Sequence, residues 1–449
     1  MFVVLYVNAY TMSNNFEYEK LRRTVKKIFI FFLTLTTAFT LIWFIKNITL
    51  GRNHGKTVIE YSYWVGTPEE IEANRLIIEA FHLENPDIQV IVRHHPWADY
   101  FTKLYTGIIT NTAPDVLRMS YAFLPDYVHY NAIEPLDDFI ATDSTFNNDE
   151  LVTWPYEACI VDNYIMSMPI DCPIDIFYYN KNIFKAACLP YPDEYWDWND
   201  LIETGLKLKE YFKSNDMNDI YPLGGLLYSQ FVMENGAKII ERDTMICALD
   251  TPSAIEAIQF VHSLIHDYKL ALAPEAENSI GGDPFLKEKC AMTYGGSYML
   301  QTYNKKATFD WDITYRPKGV KWIAKTSACG LCMTKQCQEK EAAWRLIKFF
   351  VGKKAQEIYA NIGAFVPIRK DVLNSDSFLP SEYKPKHKHL LLDVEGSISQ
   401  NWSCRNWGRF RTAIGQEIDL VMEGKLSPVD GCHRAAKRGN QILNEVYSR

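Results

Sequence analysis

Apolar and polar positions follow two rhythms from residue 57 onward. Residues 57–64 alternate at every second position and are rich in β-branched and aromatic side chains, which predicts a strand. A helical rhythm follows from Pro68 to about Glu84, with Thr67 placed to cap the helix and proline in its first turn. The same succession recurs as a strand at residues 88–93, a helix at 99–110 and a short strand that ends near 119–121. Strands that alternate with helices predict an α/β fold with a mostly parallel sheet.

The stretch from residue 285 to residue 317 combines a short apolar run with a pair of glycines. Residues 290–293 predict a buried strand, and Gly295–Gly296 predicts a tight turn in which the backbone approaches a ligand. Ser297 would then cap a helix that begins at Tyr298, which places an aromatic ring with a polar tip at the helix end. The alternative is a glycine at the end of a helix, with Tyr298 half buried in a core.

Two extended segments limited by proline separate the later helical runs. Residues 168–173 and 363–367 are typical of connections that cross between lobes without forming a helix. The helical runs cover residues 198–212, 251–265, 342–359, 402–424 and 428–447. Ligands of parallel sheets bind outside the carboxyl ends of the strands. Trp64 and the Ser120–Tyr121 pair lie at such ends, which makes them candidate ligand-binding residues, although Trp64 can equally be a core or hinge aromatic.

The N-terminus differs in kind from the rest of the chain. Residues 28–45 are 18 residues without a charge and span roughly 27 Å as a helix, close to the hydrocarbon thickness of a bilayer. Basic residues precede them, which predicts a cytoplasmic N-terminus at residues 1–27, a transmembrane anchor at 28–45 and a polar linker at 46–56. The alternative is a cleaved signal peptide, but the run is long for one and lacks a small-residue cleavage site at its end.

Charge excludes one class of partner. Residues 1–55 hold seven of the 47 Lys and Arg residues and two of the 55 Asp and Glu residues, so the remainder has a net charge of −13. A phosphate backbone requires a basic surface, and this balance therefore argues against a nucleic-acid partner.

The chemistry-bearing residues predict neither a metal site nor an enzyme. Ten cysteines are scattered along the chain. The spacing of Cys329, Cys332 and Cys337 permits a zinc hypothesis, but the first two also lie in an apolar run that predicts a buried strand, and no histidine is near. The sequence contains no nucleophile elbow, P-loop, H-E-x-x-H or G-x-G-x-x-G motif. The adjacent acids Asp137–Asp138 and Glu69–Glu70 are more typical of helix starts than of a glycosidase pair. We therefore expect no cofactor, no metal and no catalysis.

Taken in order, a set of short blocks resembles a known family. The blocks are Phe81 with Asn85-Pro86 and Ile88; Pro114-Asp115-Val116; Pro135-Leu136-Asp137; Tyr179-Asn180-Lys181; Trp198 with Asp200-Leu201; Ala291-Met292 with Gly295 and Tyr298; Ala343-Trp344; Gly363 with Val366-Pro367; and the helix after Gly424-Lys425. Their order over nearly the whole chain from residue 57 resembles the extracytoplasmic solute-binding proteins of ATP-driven (ABC) importers, in particular the family-1 sugar binders, which include maltose-binding protein. No single block is diagnostic, but the ordered set is specific.

The resemblance implies a periplasmic-binding-protein-like fold with two α/β lobes, a three-segment hinge and a ligand between the lobes. The N-lobe would comprise residues 57–170 with 314–365, and the C-lobe residues 171–313 with 366–449. The hinge crossings would be Ile170–Pro173, Ile313–Arg316 and Gly363–Val366, and closure around the ligand would be a hinge motion.

The resemblance also implies a set of ligand-binding residues. They would be Trp64, Ser120 and Tyr121 from the first lobe, Asp171 at a crossing, and Gln230, Gly296, Tyr298 and Trp407 from the second, with Trp402 as a competitor of Trp407. Tyr298 stands where the family usually has tryptophan. Ala122 and Phe123 stand where maltose-type members have charged groups, which argues against a maltose-like ligand.

The implied function is that of a substrate-binding component. Such a component holds its ligand with aromatic rings and with groups that bind hydroxyls, and it needs no nucleophile. A sugar presents an apolar face that stacks on aromatic rings and hydroxyls that pair with acids and amides. We therefore expect a carbohydrate ligand, ABC permease subunits and the membrane as partners, and a monomer on the extracytoplasmic side. The alternatives are a cell-surface carbohydrate hydrolase and a solute sensor for a signalling receptor.

Overall fold

The computed structural model describes residues 22–32, 34, 36–37, 40, 55–325, 328–363, 365–378, 385–392, 398–399 and 403–447. Trp402 and half of the predicted N-terminal span, at residues 33, 35, 38–39 and 41–45, lie outside this part of the chain.

The chain divides into two compact units, the first ending at Val58 and the second beginning at Ile59. In the first unit, residues 22–32 form a helix, and its five apolar residues from Ile28 to Phe32 are 45–61% exposed. Among the residues that the structure describes, no helix combines the length and the apolar character that a membrane span requires.

The strands were numbered in chain order. They are β1 (Thr57–Val65), β2 (Ile88–Pro96), β3 (Val116–Ser120), β4 (Ile133–Glu134), β5 (Ile160–Val161), β6 (Tyr164–Ile165), β7 (Met168–Asp171), β8 (Asp175–Asn180), β9 (Tyr221–Gly224), β10 (Ile240–Glu241), β11 (Ile246–Cys247), β12 (Cys290–Gly296), β13 (Trp311–Thr314), β14 (Ala324–Lys325), β15 (Cys329–Thr334) and β16 (Ile398–Ser399).

The helices of the second unit were numbered in the same way. They are α1 (Pro68–Glu84), α2 (Trp97–Ile109), α3 (Leu124–His129), α4 (Asp137–Thr142), α5 (Thr153–Glu157), α6 (Lys181–Ala186), α7 (Trp198–Ser214), α8 (Tyr228–Glu234), α9 (Pro252–His266), α10 (Pro274–Asn278), α11 (Leu300–Lys306), α12 (Lys340–Val351), α13 (Lys353–Ile362), α14 (Lys370–Leu373), α15 (Trp407–Met422) and α16 (Pro428–Tyr447).

Local sequence signals set the start of two long helices. The hydroxyl of Thr67 accepts a hydrogen bond from the backbone N–H of Glu70 at 3.3 Å, and Pro68 fills the first turn of α1. Asp197 and Asp200 form a reciprocal capping box at the start of α7. Both helix starts confirm the predictions made from the sequence.

The first sheet has the strand order β2-β1-β3-β15-β4, with β7 paired to β15. Strands β1 and β3 are parallel, whereas β15 is antiparallel to β3, β4 and β7. The second sheet has the order β13-β8-β12-β9, in which β9 and β12 are parallel and β8 is antiparallel to β12 and β13. We call the halves built on these sheets lobe 1 and lobe 2.

The prediction of mostly parallel sheets is wrong for β8 and β15. Each of these strands enters its sheet directly from the other lobe. A chain that arrives at the edge where the other strands end must run away from that edge, so the arriving strand is antiparallel to its neighbours.

Three hydrophobic clusters hold the second unit together. One packs α1, α12 and α13 against the first sheet and continues, through Ile176, Tyr178 and Trp311, onto one face of the second sheet. A second covers the other face of the second sheet with α7, α8, α9, α15 and α16. A third packs α2 and α3 on the opposite face of the first sheet. The continuous first cluster ties the two sheets at their junction.

The stretch around the two glycines differs from the prediction. Strand β12 continues through Gly296, so Gly295 and Gly296 pair with Ile176 and Asp175 instead of forming a turn. Ser297 does not cap a helix: its hydroxyl accepts a hydrogen bond from the backbone N–H of Ile174 at 3.0 Å.

Two predicted helices also differ from the helices in the structure. The run predicted as one helix at residues 342–359 is split at Gly352 into α12 and α13. Of the run predicted at residues 402–424, the described residues 403–406 are not helical and α15 begins at Trp407.

The chain passes between the lobes three times. The first passage joins β7 to β8, the second joins β13 to β15, and the third joins α13 to α15. On the third passage, the carbonyl of Ile368 still accepts a hydrogen bond from the N–H of Val152 in lobe 1 at 2.8 Å. The chain therefore leaves lobe 1 later than the predicted crossing at Gly363–Val366.

Candidate ligand-binding cleft

The edges of the two sheets face each other across the first passage. Strands β3 and β7 end at Ser120 and Asp171, and β8 begins only four residues later at Asp175, where β12 ends. Side chains at the carboxyl ends of the parallel strands in both lobes therefore converge on one region, where ligands of such folds bind.

An aromatic cluster lines the lobe 1 side. The ring of Trp64 packs edge-on against Trp97 at 4.9 Å and lies 5.7 Å from Phe101, which stacks on Phe123 at 4.1 Å. Trp64 is only 7% exposed, whereas Trp97 is 42% exposed. Trp97 therefore presents more ring surface than the residue predicted from the sequence, and Trp64 supports the cluster from beneath.

Asp171 belongs to a buried ion cluster. Its Oδ2 accepts a hydrogen bond from the Arg118 guanidinium at 2.6 Å, and its Oδ1 accepts one from the backbone N–H of Cys329 at 3.1 Å. The guanidinium lies between the rings of Trp64 and Phe365, 4.1 and 4.5 Å from their centroids. Asp171 has no exposed surface. In this conformation its carboxylate is therefore engaged by the protein, in contrast to the ligand contact expected from the sequence.

The same cluster joins all three passages between the lobes. Asp171 ends β7 at the first passage, Cys329 begins β15 at the end of the second, and Phe365 lies on the third. Burial raises the pKa of Asp171 to about 6, even though the nearby Arg118 lowers it. At neutral pH both groups are charged, and we call the Arg118–Asp171 pair the pivot.

Polar and aromatic side chains converge on the lobe 2 side around Asp175. The amide of Gln230 donates to Asp175 Oδ2 at 2.5 Å, while its Oε1 is buried with no hydrogen-bond partner among the described residues. Burial and then the charge of Asp175 raise the pKa of Tyr298, which is 50% exposed. The pKa of Tyr121, from lobe 1, is raised by burial and also by Asp175. Gln230 thus contacts Asp175 directly, and Tyr298 lies two residues after Gly296, the strand partner of Asp175.

Gly296 makes room for the ring of Tyr298. A β-carbon at Gly296 would lie 2.1 Å from Tyr298 Cε1. The backbone of Gly296 has φ −92° and ψ 158°, which any residue adopts, so the requirement for glycine comes from the ring and not from the backbone. The ring therefore folds back over the end of β12 instead of standing free.

Behind this region lies a second buried ion pair. Arg316, on the second passage, pairs with Glu234 of α8, whose other oxygen accepts a hydrogen bond from the indole N–H of Trp198 at 3.2 Å. The Arg316 guanidinium lies 5.0 Å from the ring centroid of Tyr294, whose buried hydroxyl has no partner in the described part of the chain. Burial outweighs the arginine and raises the pKa of Glu234 to about 7.

Trp407 begins α15 and packs into the lobe 2 core with 5% of its surface exposed. A β-carbon at the neighbouring Gly408 would lie 3.7 Å from Phe123 of lobe 1. The aromatic cluster of lobe 1 therefore reaches Gly408 in the first turn of α15, next to Trp407 in sequence.

The structure thus separates the candidate residues into three groups. Tyr121, Gln230, Gly296 and Tyr298 gather around Asp175; Trp64 and Trp407 pack beneath the aromatic surface; and Ser120 and Asp171 lie at strand ends against β15. Sequence reasoning missed Asp175 and Trp97. Trp97 directly follows the end of β2, and that position was the available signal for it, whereas Asp175 begins β8 and had no such signal.

The acids considered for catalysis are engaged elsewhere. Asp137 Oδ2 accepts the backbone N–H of Ile165 at 3.1 Å, Glu69 pairs with Lys305 at 2.7 Å, and Glu70 Oε2 accepts the backbone N–H of Gly66 at 2.8 Å. No group of three or more His, Cys, Asp or Glu side chains suited to a metal ion occurs among the described residues. The ten cysteines, which all lie within the described ranges, are unpaired.

Comparisons with known proteins agree with this architecture. A family model described as "Bacterial extracellular solute-binding protein" matches residues 77–385. A putative binding protein of Brucella abortus is 24% identical over 405 residues, which cover 87% of this chain and 93% of the relative. The sn-glycerol-3-phosphate-binding periplasmic protein UgpB of Escherichia coli is 23% identical over 398 residues, covering 82% and 88%.

Solved structures share the fold. An ABC substrate-binding protein from Listeria monocytogenes, in complex with cycloalternan, superposes with a TM-score of 0.79 at 22% identity and covers 88% of this chain and 99% of its own. Maltose-bound MalE3 of T. maritima superposes with a TM-score of 0.73 at 19% identity, covering 86% and 100%. The second unit therefore has a mixed α/β, periplasmic-binding-protein-like fold.

Proposed function

This chain belongs to the family of bacterial extracellular solute-binding proteins, and we propose that it binds a carbohydrate between lobe 1 and lobe 2. The bound carbohydrate is delivered to the permease subunits of an ABC importer. The family membership is the one that the ordered sequence blocks indicated.

The observation that carries the proposal is the hydrogen bond from Gln230 to Asp175 at the facing edges of the two sheets, where Gly296 pairs with Asp175, the ring of Tyr298 lies against Gly296, and Tyr121 follows the end of β3 in lobe 1. A carboxylate and an amide oxygen without a partner accept hydrogen bonds from hydroxyl groups, and the tyrosine rings offer flat apolar faces. A sugar ring presents both features at once. The binding role of Trp64, Ser120, Asp171, Gly296, Trp407 and Trp402 is part of the same proposal, with the first five acting by packing or positioning.

Two related structures support a carbohydrate rather than another solute. The Listeria protein holds cycloalternan and the T. maritima protein holds maltose, and both are carbohydrates. The E. coli relative is named for sn-glycerol 3-phosphate, which makes that compound the informative competitor in a binding test.

We also propose that residues 28–45 anchor the protein and that residues 1–27 are cytoplasmic. The family is extracellular, which places the second unit on the extracytoplasmic side. The described part of the helix exposes a continuous apolar surface from Ile28 to Phe32, and the hydroxyl of Thr34 donates to the carbonyl of Phe31 within the helix. Internal satisfaction of polar groups is what a lipid environment requires. A monomer completes the proposal, with the lobe boundaries given above except that the third passage leaves lobe 1 after Ile368.

Isothermal titration calorimetry of the detergent-purified full chain tests the function. The panel contains maltose, maltotriose, a cyclic tetrasaccharide, tagatose and sn-glycerol 3-phosphate, and hydrolysis is followed on the same samples by chromatography. We expect binding of at least one saccharide without turnover. Binding of sn-glycerol 3-phosphate alone would show that the ligand is not a carbohydrate. Release of reducing ends would favour a hydrolase over a binding protein.

A further inference from the structure

Helix α15 of lobe 2 begins without a cap of its own. Its N-cap residue, Asn406, has φ 62°, and the Asn406 side chain makes no capping hydrogen bond. The first N–H groups of a helix have no partner within the helix and need an acceptor from elsewhere. For this 16-residue helix the acceptor comes from the other lobe.

That acceptor is Asp126, which lies on α3 of lobe 1. Its carboxylate accepts hydrogen bonds from the backbone N–H groups of Asn406 and Trp407. A carboxylate at a helix N-terminus is favoured both by these hydrogen bonds and by the helix dipole. The two residues are 280 positions apart in sequence, so the contact exists only while the lobes are together.

Two further contacts flank this cap. The Arg405 guanidinium lies 3.0 Å from the Nδ1 of His129, the last residue of α3. Phe123, just before α3, lies against Gly408 in the first turn of α15, and Ala122 is buried in the lobe 2 core. One segment of lobe 1, residues 122–129, therefore contacts the start of one lobe 2 helix with apolar, charged and capping interactions.

We propose that Asp126 is a positioning residue for ligand binding, which fastens lobe 1 to the N-terminus of α15 when the cleft closes. We call this contact between Asp126 and the first N–H groups of α15 the clasp. The clasp fixes the helix end that carries Trp407 and stabilises the closed form without touching the ligand. Affinity for a ligand that binds the closed form rises in proportion to the fraction of protein that is closed. For its effect on binding, the clasp rests on the proposed function.

The closed fraction can be measured without a ligand. Cys188 of lobe 2 is exposed and the other nine cysteines are buried, so Cys188 and an added Ile109→Cys, at a 66% exposed position of lobe 1, accept a fluorophore pair for single-molecule energy transfer. In the full chain, Asp126→Ala should lower the ratio of closed to open molecules roughly five-fold, as expected for loss of a helix cap. Asp126→Asn should lower the ratio of closed to open molecules less than Asp126→Ala does, because the asparagine amide oxygen still accepts a hydrogen bond.

Asp137→Ala is the matched control. Asp137, the first residue of α4, also accepts a backbone N–H, but its donor, Ile165, lies in β6 of the same lobe. This variant should leave the energy-transfer distribution unchanged. Identical distributions for Asp126→Ala and wild type, with circular dichroism showing both folded, would overturn the clasp.

Maltotriose is the ligand used to measure the effect of the clasp on binding. If maltotriose binds, Asp126→Ala should raise its dissociation constant by the factor by which the closed fraction falls, mainly through faster dissociation. An unchanged dissociation constant alongside a changed ratio would contradict the positioning role. Absence of maltotriose binding to wild type counts against that ligand, and absence of binding across the whole saccharide panel counts against the proposed function; in both cases the energy-transfer result still decides whether the clasp exists.

Discussion

Replacing Gly296 with alanine should move one ring and little else. The added β-carbon would lie 2.1, 2.6 and 2.8 Å from three atoms of the Tyr298 ring. The backbone at this position suits alanine, and the half-exposed ring can swing toward solvent. We therefore expect the free energy of unfolding to change by less than about 1 kcal/mol, since alanine in a compatible conformation stabilises by a similar amount.

The effect on binding should be larger than the effect on stability. A stacked aromatic contributes about 1 kcal/mol beyond its buried area, so the dissociation constant of a bound saccharide should rise roughly five-fold. Tyr298→Ala should weaken binding by about 1–3 kcal/mol. Calorimetry of both single variants and the double variant measures their coupling.

The double variant is the decisive sample. If Gly296 acts through the ring, Gly296→Ala adds nothing once Tyr298 is alanine. An equal further loss in that background would refute the steric reasoning and point to the backbone. Gly415→Ala in α15, where an added β-carbon meets no atom within 4 Å, controls for the substitution itself and should leave affinity unchanged.

Three further outcomes follow from the buried charges and thiols. Arg118→Leu leaves Asp171 buried without its partner and should lower the free energy of unfolding at pH 7 by about 3–5 kcal/mol in urea titrations, with a smaller loss at pH 5, where the aspartate takes up a proton. Glu234 has its pKa raised by burial from 4.5 to about 7, so the folded state holds this proton more tightly; between pH 4.5 and 7 wild type should lose up to about 3 kcal/mol relative to Glu234→Gln. Of the ten thiols, Cys188 alone should react rapidly with a thiol-specific reagent in the native state, followed by absorbance.

Each of these outcomes has a matched reference. Arg75→Leu removes an arginine that is 49% exposed and pairs with Glu72 and Glu79, so it should cost less than about 1 kcal/mol. A comparable loss for both arginine variants would contradict the burial argument. If the difference in free energy of unfolding between wild type and Glu234→Gln does not change with pH, the raised pKa is contradicted. Cys188→Ala should abolish the rapid thiol reaction.

Signals between near neighbours in the sequence predicted local structure well. Thr67 and Pro68 marked the start of α1, and alternation marked β1 and β2 within a few residues. Signals failed where the partner is distant. Ser297 serves the N–H of Ile174, 123 residues away, and not the helix that follows it. Capping propensity does not distinguish these partners, because the same hydroxyl satisfies either donor.

The candidate site shows the same difference between residues that the sequence could indicate and residues that it could not. The resemblance supplied Tyr121, Gln230 and Tyr298, which the structure gathers, but it gave no reason to choose Asp175, since an acid at a strand start has no local signature. Asp171 was selected for its place at a crossing. Asp171 lies there in the structure, and its carboxylate pairs with the guanidinium of Arg118. Arg118 stands in the middle of a strand, where no sequence pattern marked it.

The pivot and the clasp together determine how the lobes can move. All three passages meet at or beside the Arg118–Asp171 pair, so a rotation of lobe 2 about this point changes distances least near Asp171 and most at the far contacts. Phe123 and the start of α15 are also in contact across the lobes, where the Asp126 carboxylate accepts a hydrogen bond from the backbone N–H of Asn406 that an opening of the cleft would break. Asp175 and Gln230 both belong to lobe 2, so their hydrogen bond does not depend on how the two lobes are arranged. We therefore expect ligand affinity to draw both on a polar surface preformed within lobe 2 and on contacts between the lobes, and we expect substitutions at the clasp to act mainly on the dissociation rate.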